Sequence, residues 1–222
     1  MSLPHFKNPK VKEAAFIHRS FLNENPKSDL TSNERLEFLG DSILSFLVSD
    51  HLYKKFPQHK EGDLTNLRAA LVRTETLASL AKRLDLGQKL KLSRGEEESG
   101  GRKNTSILAN TTEALIGALY LDQGLEAVLK FLQENLLPEL EQIIKNHSYK
   151  DAKSLLQEIA QNQKQISPDY KILKMEGPDH ARIFQVGVFL ADKILGKGKG
   201  KSKQKAEQEA AKVALENWKN FC

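Results

Sequence analysis

Two stretches of this chain are apolar on most sides of a helix. Residues 33–48 read NERLEFLGDSILSFLV, and residues 107–121 read ILANTTEALIGALYL. A pattern apolar nearly all round predicts a buried helix. The helical period continues elsewhere. It predicts helices over 8–21, with Val11, Ala14, Ala15, Ile17 and His18 in phase, and over 44–53, ending near Pro57. Others are predicted over 64–74 (capped by Asp63 or Thr65), 76–84 and 125–145 (bent or interrupted at Pro138). Residues 23–32 and 90–101 read as loops, with the Glu96–Glu98 run as a solvated turn.

The pattern changes after a polar linker at 146–151. A helix over 152–163 is followed by alternating runs at 170–176 and 183–191, with Gly177 and Pro178 turning between them. Ile194 and Leu195 begin a third, short strand. GKGKGKSKQK then opens a helix over 203–219 that buries Ala206, Ala210, Ala211, Ala214 and Leu215. The fold class predicted is therefore α+β. An all-helical domain over 1–146 precedes a small α-β-β-β-α domain over 151–222.

Composition narrows the setting. The only cysteine is Cys222, so no disulfide framework forms, which fits a reducing cytoplasm. No run approaches the ~20 apolar residues of a membrane span, and the N-terminus lacks the apolar core of a secretory signal. The expectation is a cytoplasmic protein without a membrane partner. Net charge is +5. Residues 151–222 hold thirteen basic and nine acidic side chains, against 21 and 20 in residues 1–150. The excess positive charge thus sits in the small domain and favours a polyanion there.

The chemistry lies in the two apolar stretches. Glu34, Glu37 and Asp41 are three and four residues apart and share one helical stripe, and Asn110 and Glu113 repeat the spacing. A buried carboxylate needs a partner. Two such stripes facing each other make an acidic pocket suited to a hard divalent cation, Mg2+ above all. At the other end, Lys197, Lys199, Lys201, Lys203 and Lys205 alternate through a Gly-rich segment into a helix start. Lysine charge, close backbone approach at glycine and the helix dipole together suit phosphate.

These residues also carry a resemblance over nearly the whole chain. ERLEFLGDSIL followed by ILANTTEALIGALYLDQG resembles the signature pair of bacterial ribonuclease III. HRS at His18 to Ser20, EGDLTNLRAALV from Glu61 and SGG at Ser99 to Gly101 fall in that family's order. GPDHARIFQVGVFL with GKGKSKQKAEQEAA resembles the double-stranded RNA-binding domain. The resemblance implies a homodimeric endonuclease that hydrolyses double-stranded RNA with Mg2+, or with Mn2+ as a substitute, and uses no nucleotide cofactor. It implies 5′-phosphate and 3′-hydroxyl products, and roles in ribosomal RNA precursor processing and message turnover. Glu37, Asp41 and Glu113 match three of the family's four metal-binding acids. Asn110 stands where the family has Asp. Glu34 and Glu61 match additional acidic positions. In the small domain, Gln157 and Glu158 would meet one minor groove, Pro178, Asp179 and His180 the next, and Lys201, Lys203 and Lys205 the intervening phosphates. Where that family commonly has two adjacent basic residues, this chain has Lys203-Gln204. Asn110 adds no negative charge, so the alternative reading is a duplex-RNA binder with impaired or lost catalysis.

Overall fold

The computed structural model describes residues 3–146, 149–178 and 182–218. Asn8 caps α1 (Pro9–Ala14) by accepting from the Lys10 N–H at 3.0 Å. The single helix expected over 8–21 stops there. His18, read from the sequence as a position within that helix, is extended (ψ 146°). It caps α2 (Arg19–Glu24) instead, accepting at Nδ1 from the Ser20 N–H at 3.3 Å. Backbone bonds fix the break: Lys91 N–H donates to Phe16 O at 2.8 Å, and His18 N–H to Lys91 O at 3.1 Å. Asn33 closes it from the other side, its N–H donating to Ile17 O at 2.8 Å and its Nδ2 to Ala15 O at 3.1 Å.

The helices expected over 33–48 and 44–53 are one element, α3 (Glu34–Lys55). Ile43, Leu44, Leu47, Val48 and Leu52 are buried. The expectation of burial all round fails on one stripe. Phe38, Phe46 and Tyr53 are 78%, 60% and 74% exposed, and their spacing of eight and seven returns them to the same side of the helix. Next, α4 (Glu61–Val72) begins after an extended Lys60, with neither Asp63 nor Thr65 capping it. It leads into α5 (Thr74–Arg83). The segment expected as a loop over 90–101 contains α6 (Arg94–Glu98), capped by Ser93. Its acids are partly paired: Glu97 with Arg102 at 2.6 Å and Glu98 with Arg94 at 2.8 Å.

Asn104 caps α7 (Thr105–Gln123), accepting at Oδ1 from the Ser106 and Ile107 N–H groups. Gly124, at φ 80°, ends it. Of the bend or interruption expected at Pro138, the structure shows the interruption, between α8 (Leu125–Asn135) and α9 (Glu139–Lys145). The buried faces of these helices form one core, which includes Leu44, Leu71, Leu80, Leu115, Ile116 and Leu132.

Internal contacts divide the chain into Met1–Tyr149 and Lys150–Cys222. The second unit runs α10 (Ala152–Lys164), β1 (Asp169–Glu176), β2 (Ile183–Leu190), β3 (Lys193–Gly200) and α11 (Lys203–Asn217). The sheet is antiparallel in the order β1-β2-β3. Leu156, Val188, Leu195, Ala210, Ala214 and Trp218 belong to its core.

The third strand is longer than expected and absorbs GKGKG, for a reason the sequence reading had assigned elsewhere. Gly196, Gly198 and Gly200 alternate toward α11. A Cβ on Gly198 would lie 2.2 Å from Ala210 N and 2.3 Å from Ala206 O. The glycines let the helix rest on the strand; they are not there to bring backbone near a phosphate. Lys197 and Lys199, both exposed, consequently alternate onto the face opposite α11. Gly198→Ala is expected to destabilise this unit by about 1–3 kcal/mol through overpacking. Trp218, the only tryptophan, sits in this core, so a urea melt followed by its fluorescence reads the effect.

Candidate active site

The site begins at a crossing of two glycines. A Cβ on Gly40 would lie 1.8 Å from Glu113 O, and one on Gly117 would lie 2.2 Å from Leu36 O. At this point α3 and α7 touch backbone to backbone, which no residue with a side chain permits. The pairing of 36 with 117 and 40 with 113 makes the helices antiparallel. Asp41 adjoins Gly40, Glu37 lies one turn earlier, and Glu113 lies one turn before Gly117. Two helices held this close bring Glu37, Asp41 and Glu113 near enough for their charges to act on one another.

The electrostatics record the convergence. Glu113 is half-buried, and its carboxyl is pushed up from 4.5 to about 7, first by burial and then by Asp41 and Glu37. Glu37 is raised as well, by burial, Glu34 and Asp41; a hydrogen bond from the Asn110 amide and the Arg19 charge act the other way. Asn110 is exposed at the edge of the set. Its amide therefore donates to the carboxylate that the family's Asp would repel. Glu34, one turn before Glu37, adds its charge to the set; it is exposed, accepting from Ser32 Oγ at 2.8 Å and lying 3.6 Å from Arg19. Glu61 is not among the groups acting on Glu37 or Glu113; it opens α4 and accepts from Thr65 Oγ1 at 2.9 Å.

Among the described residues, no three Asp, Glu, His or Cys side chains form a ready-made metal cage. The donor chemistry still fits a hard cation: three carboxylates and a carboxamide oxygen, with mutual repulsion that a divalent ion relieves. Mg2+ takes one or two protein carboxylates and keeps several waters, so an open set suits it better than a closed one.

In the small unit, Gln157 and Glu158 are exposed on α10. The start of that helix is tied to the first turns of α11. Lys153 Nζ lies 2.6 Å from Glu207 Oε2, and Gln208 Nε2 donates to Asp151 Oδ1 at 2.8 Å. Lys201, Lys203 and Lys205 are exposed around the Ser202 cap of α11, with Lys203 3.9 Å from the half-paired Glu207. Pro178 is exposed after Gly177, which takes φ 93°. Asp179 and His180 lie outside the described residues.

The sequence reading missed three features of this chain: the glycine crossing, the exposed aromatic stripe and Arg19. The first left a signal, a Gly inside each of two strongly helical apolar runs, and Arg19 lies within the HRS segment that the resemblance singled out without a role.

The comparisons agree across both units. Residues 8–140 match the family described as Ribonuclease-III-like, and residues 152–217 match the double-stranded RNA binding motif. The chain is 47% identical to Ribonuclease 3 of Carboxydothermus hydrogenoformans over 221 residues, covering 97% of this chain and 92% of that protein. It is 48% identical to Ribonuclease 3 of Bacillus licheniformis over 210 residues, covering 95% and 84%. Its structure is similar to the nuclease domain of ribonuclease III from Campylobacter jejuni, with a TM-score of 0.54 and 39% identity. That match covers 59% of this chain and 87% of that one.

Proposed function

The chain belongs to the ribonuclease III family, and on that premise we propose that it cleaves double-stranded RNA by divalent-cation-assisted hydrolysis, one strand at each of two acid sets in a homodimer. As a family member it is an endoribonuclease, a hydrolase acting on duplex RNA. The observation that carries the reading is the cluster at the glycine crossing, where Glu37, Asp41 and Glu113 crowd one another and burial raises two of them.

Glu37, Asp41, Glu113 and the Asn110 carboxamide oxygen are the groups that would hold the ion, with Mg2+ the best fit and Mn2+ a substitute. When bound, the cation lowers the pKa of water and neutralises charge developing on the phosphate. The chain's own residues set the geometry. Gly40 and Gly117 hold the two acid-bearing helices together, and Glu113 is half-buried where Asp41 and Glu37 act on its charge. Asn110 donates to Glu37. Glu34 acts on Glu37 from the preceding turn, and Glu61 is not among the groups acting on the set; neither has a step assigned to it. The products carry 5′-phosphate and 3′-hydroxyl ends. The working place is the cytoplasm, in precursor and message processing; no helix among the described residues is long and apolar enough to cross a membrane.

Two features support the homodimer. The Phe38, Phe46 and Tyr53 stripe, with Leu121 at 58% exposure, leaves large apolar side chains bare on the large unit, as an interaction surface does. The Campylobacter jejuni nuclease domain is described as having a region involved in dimer formation. A second copy laid on this stripe would supply the second acid set that cutting both strands requires.

The small unit, 151–222, supplies grip on the duplex. Gln157, Glu158, Pro178, Asp179 and His180 are assigned to the minor grooves, and Lys201, Lys203 and Lys205 to phosphates. Removing residues 151–222 is expected to weaken duplex RNA binding in chelator roughly 10–100-fold. It should also lower the slope of log affinity against log salt by about 0.9 per lost phosphate contact, so by about three for these lysines. The deletion should leave the oligomeric state unchanged by light scattering. An unchanged affinity would remove the RNA-gripping role from the small unit.

A further inference from the structure

The segment His18 to Ser20 has so far no chemical role, yet its mounting is rigid. The His18 N–H donates to Lys91 O at 3.1 Å, and its Nδ1 lies 2.8 Å from Ser20 Oγ. Ser20 Oγ in turn accepts from the Ser93 N–H at 3.0 Å. Between these two anchored residues, Arg19 projects outward with its side chain 72% exposed and its Nη1 3.6 Å from Glu34 Oε1. An exposed pair at that distance adds little stability, so the ion pair alone does not account for so firm a mount.

The surroundings of Arg19 suggest another use. It lines a cavity of about 420 Å3 together with Glu34, Glu37, Ser106 and Asn110. That cavity opens directly beside the acid set. An RNA backbone entering it meets two carboxylates on one wall. Among the lining residues Arg19 is the only permanently cationic side chain, and its guanidinium already acts on Glu37. The planar fork of an arginine matches two oxygens of a phosphate, which a lysine ammonium cannot do.

We propose that Arg19 leaves Glu34 to bind a backbone phosphate flanking the scissile linkage, and so sets the register of the cut strand against the acid set. The inference rests on the nuclease reading above. Glu34 parks the guanidinium at the cavity mouth when no RNA is present. Duplex RNA, having the higher charge density, takes it over.

The test is duplex RNA binding by the full chain in chelator, measured across a salt series for wild type, Arg19→Ala, Arg19→Lys and Glu34→Gln. Melting curves run alongside. Arg19→Ala and Glu34→Gln break the same ion pair, so a purely structural pair predicts equal changes in both variants. The proposal predicts that Arg19→Ala lowers the salt slope by about 0.9 per chain and weakens binding roughly tenfold at low salt. Glu34→Gln should leave the slope unchanged and bind as well as wild type or better. Arg19→Lys should keep the slope but recover only part of the affinity, because the charge remains and the fork is lost. A slope in Arg19→Ala equal to that of wild type overturns the proposal, as does an equal loss in Glu34→Gln. Failure of the wild-type chain to bind duplex RNA at all would instead overturn the nuclease reading on which it rests.

Discussion

Asn110→Asp is expected to raise Mg2+-dependent cleavage of a perfect RNA duplex by on the order of 10^2–10^3, the range associated with restoring one preorganised electrostatic group. The structure supplies the reason. The Asn110 amide donates to Glu37 and so offsets part of the repulsion among the acids. That bond makes the metal-free chain more comfortable while reducing its need for a cation. An aspartate would remove the donor and add a fourth negative charge. The substitution is therefore expected to act in opposite directions on two readouts. In chelator the melting temperature should fall by about 2–4 °C, as for a loss of about 1 kcal/mol in a chain of this size. With Mg2+ titrated in, the stabilisation should exceed that of the present chain, because the ion binds the folded set preferentially. A variant no faster than the parent, with no larger Mg2+ stabilisation, would show that Asn110 does not limit the site.

Gly40→Ala is expected to be the most damaging small substitution in the large unit. The new Cβ would sit 1.8 Å from Glu113 O, a backbone atom that cannot rotate away. Either α3 and α7 separate or the unit loses packing, at a cost of about 3 kcal/mol or more. A displacement of ~1 Å at the reacting groups can cost ~100-fold in rate. Cleavage should thus fall by that factor even where the chain remains folded. Gly62→Ala is the control, since nothing lies within 4 Å of a Cβ there and the residue is inside α4. Its stability should be unchanged or higher by up to about 1 kcal/mol. Equal melting temperatures for Gly40→Ala and wild type, with equal rates, would deny the crossing its role.

The acids were legible in the sequence because helical spacing puts Glu37 and Asp41 on one stripe and Asn110 and Glu113 on another. The contact between the stripes was not legible. A helical period fixes which residues share a face but not how closely two helices approach, and here glycine decides that. The same period led to one long helix over 8–21. It cannot tell a histidine in phase from a histidine whose ring caps the next helix, and His18 does the latter. The apolar run from Leu36 to Leu47 read as buried all round. The side chains of Phe38 and Phe46 are apolar because a surface of this chain is, and hydrophobicity alone does not distinguish a core from a face awaiting a partner. In the small unit the alternation of Lys and Gly suits phosphate as a sequence, yet it has a structural cause. The alternation is that of a strand, glycines toward α11 and Lys197 and Lys199 away from it.

Glu113 offers the most direct test of the acid set. Its carboxyl is pushed up to about 7, first by burial and then by Asp41 and Glu37, and a glutamine there keeps size while removing charge. The measurement is single-turnover cleavage of a perfect RNA duplex by Asn110→Asp, with and without Glu113→Gln, over a Mg2+ series. The account predicts a Mg2+-dependent rate that disappears with Glu113→Gln while duplex binding in chelator persists. Undiminished cleavage by the Glu113→Gln protein, or cleavage in chelator, would contradict it.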